Sequence, residues 1–181
     1  MKTYRRPLLA GLTVMVALLA VSASASAAVW KDHGTNVSKA IEIGLTGGEV
    51  AEAGSKGLSC EVHATLTTSG GSTGKITKYE TKKCSGFGEL SKCTMTSSES
   101  LGLPWTVDVN TTDLTITGWH TKRKFSGCAT TEIDKTIPSV TVTLNSPTEI
   151  TEMEFLGSIT GYKTFGSWTV DSPNSGTYGI G

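Results

Sequence analysis

The chain has 181 residues, 37% hydrophobic, 18% charged and 7% aromatic, with a formal net charge of zero. That length suits one ordinary domain, and charge this sparse and balanced excludes disorder driven by self-repulsion. With Lys2, Arg5 and Arg6 of the N-terminal segment set aside, 13 of the 16 basic residues remain against 16 acidic ones, so nothing points to nucleic acid or an anionic membrane as partner.

Residues 1–28 read as a secretory signal peptide. Met1 to Arg6 supply the positive start, and Pro7 to Val21 the apolar run. Ser22 to Ala28 are the small residues a signal peptidase requires, and cleavage is placed after Ala27 or Ala28. The apolar run is short for a bilayer core of roughly 30 Å, and no second one follows. The expectation is therefore an exported chain, secreted or associated with the cell envelope, with no transmembrane segment after cleavage.

From Val29 the chain alternates apolar and polar residues in short runs broken by Gly, Ser, Asn and Lys. Ile41, Ile43 and Leu45 begin one run. Leu58, Cys60, Val62, Ala64 and Leu66 form the clearest strand, with Ser59, Glu61, His63 and Thr65 on its other side. Ser69 to Gly74 make a flexible turn, and Ile76 to Lys83 return from it. Residues 93–128 read as a long central hairpin. Val140, Val142 and Leu144 alternate, as do Met153, Phe155, Gly157 and Ile159, and Trp168 with Val170 form a short last strand. Ser146-Pro147-Thr148-Glu149 has the spacing of a helix start, but the apolar spacing after Met153 is two, which allows one helical turn at most. Thr, Val and Ile suit pleated surfaces. The fold class expected is all-β, an antiparallel sandwich or barrel, in a single domain over 29–181.

Four cysteines, Cys60, Cys84, Cys93 and Cys128, lie in the exported part, and an even count in an oxidising compartment predicts two disulfides. Opposing Cys93 with Cys128 also opposes Trp105 with Ile116 and Val107 with Leu114, leaving Asn110-Thr111 at the hairpin tip. Opposing Cys60 with Cys84 fits less well, since it sets Val62 against Lys82. A slip of one residue sets Ala64 against Tyr79 instead, and a bulge near Cys84 reconciles the two registers. No Cys-x-x-Cys or nearby His pair suggests a metal site.

No catalytic constellation emerges, and no cofactor is implied. Gly70-Gly71-Ser72-Thr73-Gly74 matches the G-x-S-x-G pattern, but lies in a turn between predicted strands rather than at a strand-to-helix elbow. His33, His63 and His120 lack evident converging partners. Glu149, Glu152 and Glu154 are adjacent rather than opposed, unlike a glycosidase pair. Lys75, Lys78, Lys82 and Lys83, with Lys122, Arg123 and Lys124, form two basic clusters that would protect strand edges or bind an anionic envelope polymer. In the hairpin register above, Trp105 faces the core and Trp119 the opposite side. A binding surface is therefore expected around Trp119 and His120.

The mature chain resembles a group of uncharacterised secreted proteins from actinobacteria. The resemblance rests on Trp30, on Cys60 within its alternating strand, on Cys93 ahead of Leu103-Pro104-Trp105, on Cys128, and on the terminal Gly176-Thr177-Tyr178-Gly179-Ile180. It implies bacterial export and a β-rich fold. The function expected is a non-catalytic structural or binding role at the envelope, with an envelope polymer or glycan as partner. A carbohydrate-binding module is the alternative, and a small secreted hydrolase the third option.

Overall fold

A computed structural model describes residues 28–171 and 178–181. Apart from Ala28, the leader falls outside these residues. The described chain is all β: β1 (Trp30–Asp32), β2 (Thr35–Asn36), β3 (Ile41–Ala53), β4 (Lys56–Thr68), β5 (Thr73–Gly88), β6 (Thr94–Ser100), β7 (Trp105–Val109), β8 (Asp113–Ser126), β9 (Glu132–Leu144), β10 (Glu152–Ile159), β11 (Tyr162–Asp171) and β12 (Tyr178–Ile180). No helix forms at Ser146-Pro147-Thr148-Glu149. The Glu149 amide still donates to the Ser146 hydroxyl at 3.4 Å, as a helix start would have it.

The choice between sandwich and barrel falls to the barrel. Antiparallel neighbours run β3-β4-β5-β7-β8-β9-β10-β11, and β11 returns to β3. Each strand pairs with the next in sequence, giving an eight-stranded up-and-down barrel. β6 and β7 act as one broken strand. Both pair with β8, with Leu101 to Pro104 as the break, and the Leu103–Pro104 peptide is cis. Pro104 stands just ahead of β7, where its missing N–H disturbs no ladder.

The barrel is filled by side chains, as eight strands permit. One end is closed by a small sheet in which β1 lies between β2 and β12, with Trp30 opposite Ile180. His33 and Gly34, both at positive φ, make its two-residue turn. Next comes an aromatic layer. Trp105 stacks on Trp119 with centroids 4.8 Å apart, Phe155 stacks on Trp168 at 4.5 Å, and Tyr79 meets Trp119 edge-on at 4.8 Å. Beyond it sits a layer of buried polar groups. Leu58, Cys60, Leu90 and Phe125 close the far end, with Cys84, Cys93 and Cys128 packed against them.

The structure pairs Cys60 with Cys84 and Cys93 with Cys128. The expected bulge is present. Ser59 opposes Ser85, the register shifts by one residue beyond it, and Ala64 then opposes Tyr79. The hairpin register differs from expectation by two residues. Val107 opposes Ile116, Val109 opposes Leu114, and the Asn110 amide donates to the Asp113 carbonyl at 2.9 Å, so Thr111-Thr112 form the tip. Only Ser97 to Ser100 of β6 follow the register that opposes Cys93 with Cys128, as in Ser98 opposite Arg123, and Thr94 and Met95, next to the cysteines, are shifted from it by one residue. The break before β7 absorbs the difference, which a hairpin treated as unbroken could not show.

Candidate functional site: the outer wall of the barrel

The surface expected around Trp119 does not exist. Trp119 is fully buried, and so are Trp30, Trp105 and Trp168. The reason is a change of parity in β8. Leu114 and Ile116 point inward, Gly118 adopts φ +84°, and from there the odd residues Trp119, Thr121, Arg123 and Phe125 point inward. One irregular residue exchanges the two faces of a strand. Partner β9 switches with it, from Ile137 to Val140, at Pro138-Ser139. The exposed-tryptophan argument for a carbohydrate module therefore disappears.

His120 does lie on the outer wall, half-buried. Its Nε2 is 2.7 Å from Asp134, while the Lys122 ammonium sits 3.1 Å from Glu132 and 3.5 Å from Asp134. The His120 bond, and then Lys122, hold the Asp134 carboxyl below its usual range. His63 behaves similarly. Together with Lys83 it flanks Glu61, whose pKa is lowered to about 2 by the Lys83 bond first and the His63 bond second. These are hydrogen bonds of the histidines and ion pairs of the lysines on a solvated strand surface. Among the described residues no group of three or more His, Cys, Asp or Glu side chains converges as a metal site.

The other sequence motifs also find structural places. The Gly70-to-Gly74 turn offers backbone rather than a nucleophile. The Gly71 carbonyl accepts from the Trp30 amide at 3.0 Å, and that of Ser72 from the Val109 amide at 2.8 Å. The second basic cluster is divided between the two faces: Lys122 and Lys124 point outward, whereas Arg123 is inside the barrel. No β8 edge needs protection, because β8 is paired on both sides. β5 is different. Among the described residues no ladder joins it to β6, and two side-chain bonds span the seam, Thr81 to Ser98 and Ser100 to the Tyr79 carbonyl. Lys78 and Lys82 flank that seam, each near Glu80.

Sequence reading missed the interior polar layer. Glu49 is 1% exposed, and its carboxylate accepts from Arg123 at 2.6 Å, Tyr79 at 2.9 Å and Thr164 at 2.7 Å. Arg123 also reaches the Tyr162 hydroxyl at 3.3 Å. Burial opposes the Arg123 charge, but Glu49 and the two tyrosines outweigh it and raise its pKa. Burial, with Glu49 beside it, pushes the Tyr79 phenol well up, so it stays neutral. Glu49 follows Gly47-Gly48, and this strand keeps its inward parity from Ile43 to Ala51. That parity was the available signal, since it places a carboxylate on the core face. The Glu49 carboxylate is fully engaged and the two terminal nitrogens of Arg123 are bonded, while the Arg123 Nε has no partner among the described residues, and the cluster fills the barrel beyond the aromatic layer.

A groove of about 890 Å³ lies on the outside of β3, β9, β10 and β11. Three apolar side chains cross it in line. Leu156 opposes Phe165, and Phe165 opposes Val50, so the row runs across β10, β11 and β3. Leu156 is 57% exposed, the most exposed large hydrophobic residue of the described chain. Small residues beside the row, Gly48 and Ser167, keep the trough open. A Cβ added at Gly48 would meet nothing nearer than the Cys60 carbonyl at 3.8 Å, so the space there is free. Glu154 stands at one margin, and Lys163 at the other is 2.7 Å from Glu52 and lies over the Phe165 ring.

Fold and surface together define a class: an up-and-down β-barrel with a packed interior, disulfides at one end and an apolar trough on its outer wall. The chain belongs to the alkane oxidation protein activator PraA/PraB-like family, whose model matches residues 1–165. No curated protein and no solved structure matches it.

Proposed function

We propose that the protein is an exported, non-catalytic accessory of alkane oxidation, acting by binding outside the cell or at its envelope. Membership of a family described as activators of alkane oxidation is the observation that carries this reading. An activator need not perform the oxidation, and the filled barrel suits that role. The interior is occupied by Trp105, Trp119, Trp168, Phe155 and Tyr79 rather than by a substrate. Export is supported by the leader pattern of residues 1–28 and by two disulfides, which persist in oxidising compartments.

The test is addition of the purified, oxidised protein to alkane-oxidising cells that lack the gene. Faster n-hexadecane consumption is expected, with no oxidised product when protein and alkane are mixed without cells. An unchanged rate with added protein would remove the accessory role, and product formed without cells would remove the non-catalytic one. Fractionation checks location: protein confined to the cytoplasm contradicts export.

A further inference from the structure

We propose that the outer groove binds an uncharged, saturated hydrocarbon chain, so that the barrel docks on alkane through its wall rather than its lumen. This rests on the accessory role in alkane oxidation and names the site through which that role is exercised.

Three observations converge on this occupant. The row Leu156–Phe165–Val50 is continuous across three adjacent strands, which at about 4.8 Å per strand gives an apolar line roughly 10 Å long. Its ends are the small polar residues Thr141, opposite Leu156, and Ser59, opposite Val50. The trough beside it exists because Gly48 has no side chain at an outward position where one would fit. An apolar chain laid there removes the exposed part of Leu156 from water, which is favourable in proportion to the apolar area covered.

Charge decides between an alkane and a fatty acid. The cation at the margin, Lys163, is already held by Glu52 at 2.7 Å, and Glu154, which has no ion-pair partner among the described residues, adds negative charge on the other side. A carboxylate head group would meet that negative charge, and Lys163, the cation lining the groove among the described residues, is held by Glu52. A neutral chain meets neither difficulty.

The experiment measures depletion of the protein from water by n-hexadecane droplets. Three variants are compared with the parent chain: Leu156→Asp, which charges the row; Gly48→Leu, which fills the trough; and Phe87→Ser, which removes the other exposed large hydrophobic among the described residues, at a site outside the groove. Far-ultraviolet circular dichroism and the thermal midpoint confirm that each folds, and a Cβ at position 48 meets nothing nearer than 3.8 Å. Leu156→Asp and Gly48→Leu are expected to weaken depletion about tenfold, and Phe87→Ser to leave it unchanged. Equal depletion by all four proteins overturns the proposal. So does competition by sodium palmitate as strong as that by hexadecane itself. A dimer that Leu156→Asp turns into a monomer would show the groove occupied by a second copy, which also overturns it.

The two readings fail separately. A protein that speeds alkane consumption without binding droplets loses the groove and keeps the accessory role. One that binds droplets through the groove without speeding consumption keeps the site and loses the role.

Discussion

At the scale of single residues, the least replaceable side chains are those of the buried polar layer. Arg123 and Glu49 are each 1% exposed, and Tyr79, Thr164 and Tyr162 add hydrogen bonds to the pair. A buried charge is tolerable only while paired, so removing one partner costs far more than the pair contributes. Arg123→Met is expected to destabilise by about 3–5 kcal/mol in urea unfolding, because it leaves the Glu49 carboxylate alone inside the barrel. A loss below about 1 kcal/mol would show that the carboxylate finds another partner. On the surface the prediction concerns pH. Glu61 has its pKa lowered to about 2 by Lys83 and His63. A depressed folded-state pKa means that its contribution is complete above the unfolded value of about 4.3 and fades as pH falls towards 2. Carboxyl titration by NMR should place the Glu61 midpoint near 2, and Lys83→Ala should move it upward. A midpoint that Lys83→Ala leaves unmoved would mean the ion pair is absent in solution.

At the scale of elements, the decisive feature is the bend shared by β8 and β9. Gly118 at φ +84° turns β8 over, and Pro138-Ser139 turn β9 with it. This lets one strand present Leu114 and Ile116 at one end of the barrel and Trp119 and Arg123 further along, all inward. A β-branched residue strongly resists positive φ, whereas asparagine tolerates it. Gly118→Val is therefore expected to lower stability by about 1–3 kcal/mol, and Gly118→Asn by clearly less, in parallel denaturant titrations. Equal losses would mean that space, not conformation, makes glycine necessary there. The same bend explains which parts of the sequence were readable. In β4 the alternation is regular, and Leu58, Cys60, Val62, Ala64 and Leu66 all face inward as their spacing requires. In β8 the alternation changes phase within the strand, and counting from Cys128 assigns Trp119 to the wrong side.

At the scale of the whole molecule, closure and cross-linking act together. The disulfides span 24 and 35 residues, and Cys84, Cys93 and Cys128 gather round Leu90 and Phe125 at one end of the barrel. Each constrains the unfolded chain by about 3–4 kcal/mol in the chain-entropy picture. Replacing both Cys93 and Cys128 by Ser should lower the unfolding free energy by about that much, and reduction of the parent chain should destabilise it further still. A double replacement with an unchanged urea midpoint would mean that packing alone holds β6 to β8. Closure also has a functional consequence. Because the lumen is filled by side chains, the proposed hydrocarbon site is on the wall, which is apolar where Leu156, Phe165 and Val50 align.

The sequence by itself determined the β class, most strand positions and the bulge beside Cys84, and it favoured the cysteine pairing that is found, although the hairpin register used for Cys93–Cys128 holds only in part of β6. Those depend on local alternation and on short-range register, which neighbouring residues specify. Only the tertiary structure decided that the sheet closes, that Trp119 and Arg123 lie inside, and that Leu156, Phe165 and Val50 form a line. Closure depends on β11 meeting β3 across most of the chain, inward placement on a single residue's backbone in β8, and the apolar row on the register of three strands. None of these is a property of one segment, so no periodicity within a segment can carry it.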